Sequence, residues 1–322
     1  MGRIVSFDYI RTISIVGIVL CHCCYRIEGL DFLGLFLGNS FNVVFLTLSA
    51  FLMGMSWQKR NYVGYGISFV FKRIAKLAYS YYPFIAVMFL FLVCTGYNVT
   101  IKDWVMHLLF LPWFDKMPGF GHLWFITMIL LCYSGIFLAS KLPVRILKET
   151  KCGVLLLLGA VASQLLVDRM GLPHYLPVYL LLYLFVFINS EGILLLISRV
   201  TLRSATVAVV TVVTITLLLY NYMLLNKYAS VWFGVFSAAA MLLFLLKVLE
   251  SSKANAVIGY ISSISFEIFL VHHIFCSVKY TLYNVIPGPI MGTLSILLTS
   301  LLLASLLHAV ANGIRAVVER KS

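Results

Sequence analysis

Charge is scarce in this chain: 11% of its 322 residues are charged and 62% are hydrophobic, with a mean hydropathy of +1.03. An ordinary water-soluble domain is therefore excluded. The apolar stretches run to roughly 20 residues and lack the alternating period of outer-membrane strands, which argues against a barrel and leaves spanning helices. Gly-rich phosphate loops, Ser/His/Asp elbows and paired catalytic carboxylates are also missing, so any catalysis falls to histidine. Paired CxxC spacings are absent: Cys21, Cys23, Cys24, Cys94, Cys132, Cys152 and Cys276 lie in or beside apolar stretches. They read as small buried hydrophobes, and no metal is expected. No long linker, low-complexity tract or internal repeat interrupts the sequence, so residues 1–322 read as one membrane domain. A cleavable signal peptide is not evident. The first apolar stretch opens after a single Arg3, carries internal charge and lacks a small-residue cleavage site, so it reads as a retained span.

What is present is an all-α, polytopic pattern of about ten transmembrane helices. Hydropathy places them near 8–26, 39–57, 74–97, 122–140, 152–168, 174–196, 204–224, 228–247, 256–279 and 289–312. The stretch IKDWVMHLLFLPWF at 101–114 is too short to cross. Its Trp104, His107 and Trp113 suit an interfacial helix or loop that roofs one side of the bundle. With the amino terminus inside, the inner segments carry Arg3, Lys59, Arg60, Lys72, Arg73, Lys76, Lys141, Arg145, Lys148, Lys151, Arg199, Arg203, Lys247, Lys253, Arg315, Arg320 and Lys321, which is 17 of the 24 basic residues. The outer side carries Arg26, Lys102, Lys116, Arg169, Lys227 and Lys279. This bias puts both termini in the cytoplasm. The formal charge of +13 is then a topology signal, and no nucleic-acid partner is expected.

Ionisable groups at membrane depth cost at least about 2.5–3.5 kcal/mol each, so a spanning helix keeps them where they meet partners, water or substrate. Arg11 and His22 share the first span, DYIRTISIVGIVLCHCCYRI. Eleven residues give about 16 Å of rise and bring the side chains back to within about 20° of each other. Asp8, Ser14 or Ile15, Ile18 and Tyr25 continue the stripe, with Asp8 one turn from Arg11 and able to pair with it. The bland alternative is that Arg11 snorkels to lipid phosphates and His22 is an interhelical hydrogen-bonder. Before and within the third span, Arg60, Lys72, Arg73 and Lys76 cluster in one short region. They suit either topology and anionic lipid or a clamp for a phosphorylated donor. On the outer side PGFGHLWFITM places His122 and Trp124 at the mouth of the fourth span. The ninth span, VIGYISSISFEIFLVHHIF, holds Glu267, His272 and His273, which together indicate a polar cavity. Glu267 and His272 are about 140° apart around a helix and are not expected to touch. Glu191, near the inner end of the sixth span, has no role legible in the sequence.

These segments together resemble the membrane-bound acyltransferase-3 family. DYIRTISIVGIVLCH is similar to the family's opening Arg-x10-His helix, through Arg11 and His22. FNVVFLTLSAFLMG resembles the second helix, with Ala50 where a Gly is common. FVFKRIAKLAYSYYP resembles the basic third-helix segment, with Lys76 at a frequent Arg position and Pro83 further on than usual. HLWF at 122–125 and SISFEIFLVHH at 263–273 resemble later signatures. The resemblance implies transfer of an acyl group, usually acetyl and sometimes succinyl, from cytoplasmic acyl-coenzyme A to a hydroxyl of an extracytoplasmic polysaccharide or glycolipid. It implies the stand-alone form, without a fused esterase-like domain, in a bacterial cytoplasmic membrane. Separate polysaccharide-assembly proteins are then candidate partners. The implied roles are catalysis for His22 and Arg11, donor binding for Arg73, Lys76, Lys72 and Arg60, and an acceptor side of His122, Trp124, Glu267 and His272. His22 would act as general base or as transient acyl carrier. The same hydropathy also fits a polysaccharide or lipid-linked sugar transporter with His and Glu in proton coupling, although matched broken helices are not evident. It fits a non-catalytic sensor as well.

Overall fold

The computed structural model describes residues 5–114, 117, 119–147, 149–222, 226–276 and 280–320. Arg3, Lys116, Lys148, Lys279 and Lys321 of the charge-bias argument lie outside the described residues, as does the side chain of Lys151.

The described residues form fourteen α-helices and no strand, as the continuous apolar runs require. They are α1 (Val5–Cys24), α2 (Asp31–Lys59), α3 (Ile67–Cys94), α4 (Ile101–Leu108), α5 (Trp124–Ala139), α6 (Val144–Leu147), α7 (Thr150–Arg169), α8 (Leu176–Ile188), α9 (Ser190–Arg199), α10 (Leu202–Asn221), α11 (Lys227–Val248), α12 (Ala256–Ser263), α13 (Ser265–Cys276) and α14 (Pro289–Glu319). Eight are long and apolar enough to cross a membrane, and ten spans result if each of two bent pairs counts once. The chain is a polytopic helical membrane protein.

The sequence expectation of unbroken sixth and ninth spans is corrected here. α8 and α9 bend by 76° about Asn189, and α12 and α13 bend by 70° about Ile264. Short polar side chains lie at both breaks and bond backbone carbonyls beside the helical ladder, which keeps the Asn189 N–H on Phe185 and the Ile264 N–H on Tyr260. Asn189 Nδ2 donates to the Phe185 carbonyl at 2.9 Å and Ser190 Oγ to that of Phe187 at 3.2 Å. Ser263 Oγ donates to the Tyr260 carbonyl at 2.6 Å. The second span also begins earlier than hydropathy indicates. α2 opens at Asp31 rather than residue 39, so the stretch DFLGLFLGNS, most of which precedes the hydropathy span, is helical. Its 29 residues correspond to about 43 Å, more than a bilayer core needs.

The helices fall into two compact units, one of Met1–Ile67 with Leu131–Gly259 and one of Ser68–Leu130 with Tyr260–Ser322. In the first, α2 is the hub, packing against α1, α8, α9, α10 and α11. Gly17 lets α1 close on α2, because a Cβ there would fall 2.2 Å from the Phe41 ring. Gly54 does the same toward the α8/α9 break, where a Cβ would meet the Phe187 carbonyl oxygen at 2.3 Å. Around it Trp57 stacks on Phe187 with ring centroids 4.9 Å apart, and Gln58 Nε2 donates to Ser190 Oγ at 2.7 Å. α7 and α10 bury only 11% of their apolar windows. Their exposed Leu155, Leu158, Val207 and Val210 form faces suited to lipid tails.

In the second unit, α13 packs on α14 and on the 3-10 turn Gly121–Leu123. α3 carries Pro83 in its interior, which removes one backbone donor and relaxes the ladder there. The three residues before it direct polar groups to other elements. Ser80 reaches Glu267, Tyr81 reaches His107, and Tyr82 Oη donates to the Leu108 carbonyl at 2.9 Å. The expected interfacial stretch is α4 followed by a 3-10 turn at Pro112–Phe114. A Thr100/Asp103 capping box starts α4.

Candidate active site

In the first unit, α1 presents Arg11 and His22, both half-buried. The helix is pinned on either side of Arg11. Tyr9 Oη donates to the Lys253 carbonyl and Thr12 Oγ1 to that of Ile258, each at 3.2 Å. Ser14 turns inward and donates to the Ile10 carbonyl at 2.7 Å. His22 follows buried Val19 and Cys21 and lies 6.4 Å from the Tyr25 ring between centroids. A half-buried imidazole and a half-buried guanidinium thus sit on one stripe, separated by about 16 Å of helix. Arg60 belongs to the same unit. It caps α2 and places its guanidinium carbon 5.0 Å from the Tyr65 ring centroid, a cation–π contact.

Glu191 acquires a position that its sequence context did not reveal. It lies in the first turn of α9, just after the Asn189 break, and accepts a hydrogen bond from Tyr62 Oη at 3.1 Å. The first turn of a helix favours negative charge through the backbone dipoles. Glu267 uses the same device in the second unit, in the first turn of α13 after the Ile264 break.

The second unit brings the remaining polar residues into two clusters. In one, the Glu267 carboxylate, only 6% exposed, accepts at the same oxygen from Ser80 Oγ at 2.8 Å and from His308 Nδ1 at 3.0 Å. Lys72, Arg73 and Lys76 precede Ser80 on α3, with Arg73 over the Phe69 ring at 5.4 Å. Lys76 is one turn before Ser80 and Arg73 two turns before, so all three residues share a face.

The other cluster is of imidazoles. His122 stacks on His273 at 4.6 Å and meets His272 at 5.1 Å, with Phe269 and Phe125 alongside. Each ring has one nitrogen on a backbone carbonyl: His122 Nε2 on Leu270 at 3.1 Å, His272 Nδ1 on Phe269 at 2.9 Å, and His273 Nδ1 on Gly119 at 3.0 Å. A carbonyl only accepts, so these nitrogens carry the hydrogens and the neutral tautomers are fixed. Trp124, at the start of α5, borders the cluster through Phe125 and faces Trp113 at 6.3 Å. Glu267 and His272 therefore belong to different clusters, in keeping with their angular separation.

Beside these clusters His107 is fully buried on α4, with Nδ1 3.0 Å from Tyr81 Oη and its ring against Phe89 and Phe120. Burial pushes its pKa down to about 4, and the opposing pull of Asp103 is weaker. His308 and the Tyr81–His107 pair are additions that the sequence motifs did not select. The signal for His308 was available, since it is an ionisable group in the apolar run of the last span. No group of three or more His, Cys, Asp or Glu among the described residues is arranged to hold a metal ion.

Residues 4–309 match the family model described as an acyltransferase domain, that of the acyltransferase-3 family. The chain belongs to that family, and is a multi-pass membrane acyltransferase. No curated protein and no solved structure matches it.

Proposed function

We propose that this acyltransferase moves an acetyl group from cytoplasmic acetyl-coenzyme A to a hydroxyl of an extracytoplasmic polysaccharide or glycolipid. The observation that carries this reading is the Arg11/His22 stripe held on α1 within a chain of the acyltransferase-3 family. A half-buried imidazole whose neighbours Cys21, Cys23 and Cys24 are buried suits proton removal from an alcohol, or transient acyl capture. Arg11 supplies fixed positive charge to the donor. The basic face of α3, with Lys72, Arg73 and Lys76, suits the phosphates of coenzyme A, and Arg60 adds a further cation on the inner side. His122, Trp124 and His272, with Glu267 nearer the α12/α13 break, form the acceptor-side set, where imidazoles of fixed orientation and an indole offer hydrogen bonds and stacking to a sugar.

Purified protein in proteoliposomes, given radiolabelled acetyl-coenzyme A and a membrane glycolipid extract, tests the reading. Label leaves coenzyme A with the parent. His22→Ala lowers the rate by about 10²–10⁴-fold, the usual worth of a positioned base, while the protein remains folded in the membrane. Arg11→Ala weakens donor use. A folded His22→Ala protein that transfers at the parental rate removes this role.

The transporter reading gains one observation, since two bent helix pairs, each with a carboxylate after the bend, resemble the discontinuous helices that line transport sites. Flux of an undecorated glycolipid without label transfer from any acyl donor would favour it.

A further inference from the structure

α14 packs through a face of Gly292, Ile296, Ser300, Ala304 and Ala311, all buried. His308 falls in that i, i+4 register, one turn after Ala304. A histidine on a face of small and aliphatic residues needs a reason, and the structure gives one. Its Nδ1 lies 3.0 Å from Glu267 Oε1, which Ser80 Oγ also reaches. The carboxylate is nearly closed off, with 7% of its side chain exposed, whereas the imidazole keeps 28%. His308 Nε2 has no hydrogen bond to any described residue.

This is the arrangement in which a carboxylate orients an imidazole. The acceptor-only oxygen fixes the hydrogen on Nδ1 and holds the ring in one plane. Its negative charge faces the positive charge that the ring carries while Nε2 also holds a proton. Nε2 is left as the atom that exchanges a proton with whatever lies beside it. The neighbouring features of α3 indicate what that is. Lys76 and Arg73 are on the face of Ser80, about 6 and 10 Å of rise before it. A donor whose phosphates engage these cations and whose arm runs along α3 arrives at Ser80, Glu267 and His308 with its thioester end.

We propose that His308, positioned by Glu267 and Ser80, is a second acid–base residue of acyl transfer, donating the proton that the sulfur of the departing thiol requires. The proposal rests on the reading of the donor as a coenzyme A thioester. The acyl carbon gains a bond to the acceptor oxygen, and the C–S bond breaks with its electron pair on sulfur. The acceptor proton goes to the base. The Nε2 proton of His308 goes to the sulfur, which leaves as free thiol, and neutral His308 regains a proton from water. Glu267 is a positioning residue here.

The test compares two donors that differ in the acidity of the leaving thiol, in native membrane vesicles that hold the acceptor. S-acetyl-N-acetylcysteamine releases an alkyl thiol that needs a proton, and S-acetyl-4-nitrothiophenol releases a stable aryl thiolate that does not. Thiol release is followed for the parent, His308→Gln and the isosteric Glu267→Gln, each checked for folding by size exclusion. We expect His308→Gln to lose about 10²-fold with the alkyl thioester and no more than about threefold with the aryl thioester, since general acid catalysis matters only for the poor leaving group. Glu267→Gln shows the same selectivity with a smaller loss. Equal losses on both donors would make the pair a structural clamp between α13 and α14 and overturn the proposal, as would an unchanged rate. A parent that releases thiol from neither donor nor from acetyl-coenzyme A would overturn the underlying reading of the donor itself.

Discussion

At the scale of single residues, five imidazoles differ in what their ring nitrogens bond. His122, His272 and His273 each spend one on a backbone carbonyl, His308 spends one on a carboxylate, and His107 faces a tyrosine hydroxyl. The environments differ accordingly, and His107 is the clearest in consequence. Burial lowers its pKa from 6.5 to about 4, so it folds as neutral imidazole. The unfolded chain binds a proton below pH 6.5 that the folded one refuses until pH 4, and stability therefore falls as pH drops through this window. The shift corresponds to about 3 kcal/mol between the two ends. Thermal unfolding in detergent from pH 7 to 4 is expected to show a shallower acid loss for His107→Gln than for the parent. Identical pH slopes would remove His107 from the account. None of this was legible in the sequence, where His107 was one interfacial residue among aromatics, because its burial depends on Tyr81, Phe89 and Phe120 converging from other segments.

At the scale of elements, the two bent helix pairs matter most. Hydropathy averages over a window about as long as a span and registers composition, so a bend that keeps the apolar content leaves it unchanged. The local cues were the Asn-Ser pair at 189–190 and the Ser-Ser-Ile-Ser run at 262–265, whose side chains add bonds to backbone carbonyls at the bends. Each bend gives a carboxylate the first turn of a new helix, a favourable place for negative charge in apolar surroundings. That is why Glu191 and Glu267 occur inside apolar runs. The bend after α8 is also held from outside by α2, which approaches closely only because position 54 is glycine. Gly54→Ala puts a methyl group against the Phe187 carbonyl and is expected to lower the unfolding temperature, at a cost of about 1–3 kcal/mol. Gly313→Ala on α14 meets nothing within 4 Å and serves as the tolerated control. Equal melting temperatures for both variants would show that the α2 contact is looser than described.

At the scale of the whole molecule, the number and order of spans were legible because the apolar runs are long and turn residues separate them. The Arg11/His22 stripe was equally legible, since one helix fixes both residues. The partners of Glu267 were not, because Ser80 and His308 are 187 and 41 residues away in the chain. No spacing rule relates residues so far apart. The bias of basic residues predicts the α3 cations at the cytoplasmic face, and a cysteine-accessibility scan is expected to label position 72 only from that side and position 102 only from the other. In the proposed reaction an acyl group enters at one face and leaves on an acceptor at the other, by way of α1. The most direct measurement encloses membrane glycolipid acceptor inside proteoliposomes of inside-out orientation and adds radiolabelled acetyl-coenzyme A outside only, for the parent and for His22→Ala. Labelled acceptor is expected inside with the parent and none with the variant. Labelled acceptor appearing only when donor and acceptor share a side, or appearing equally with His22→Ala, would contradict it.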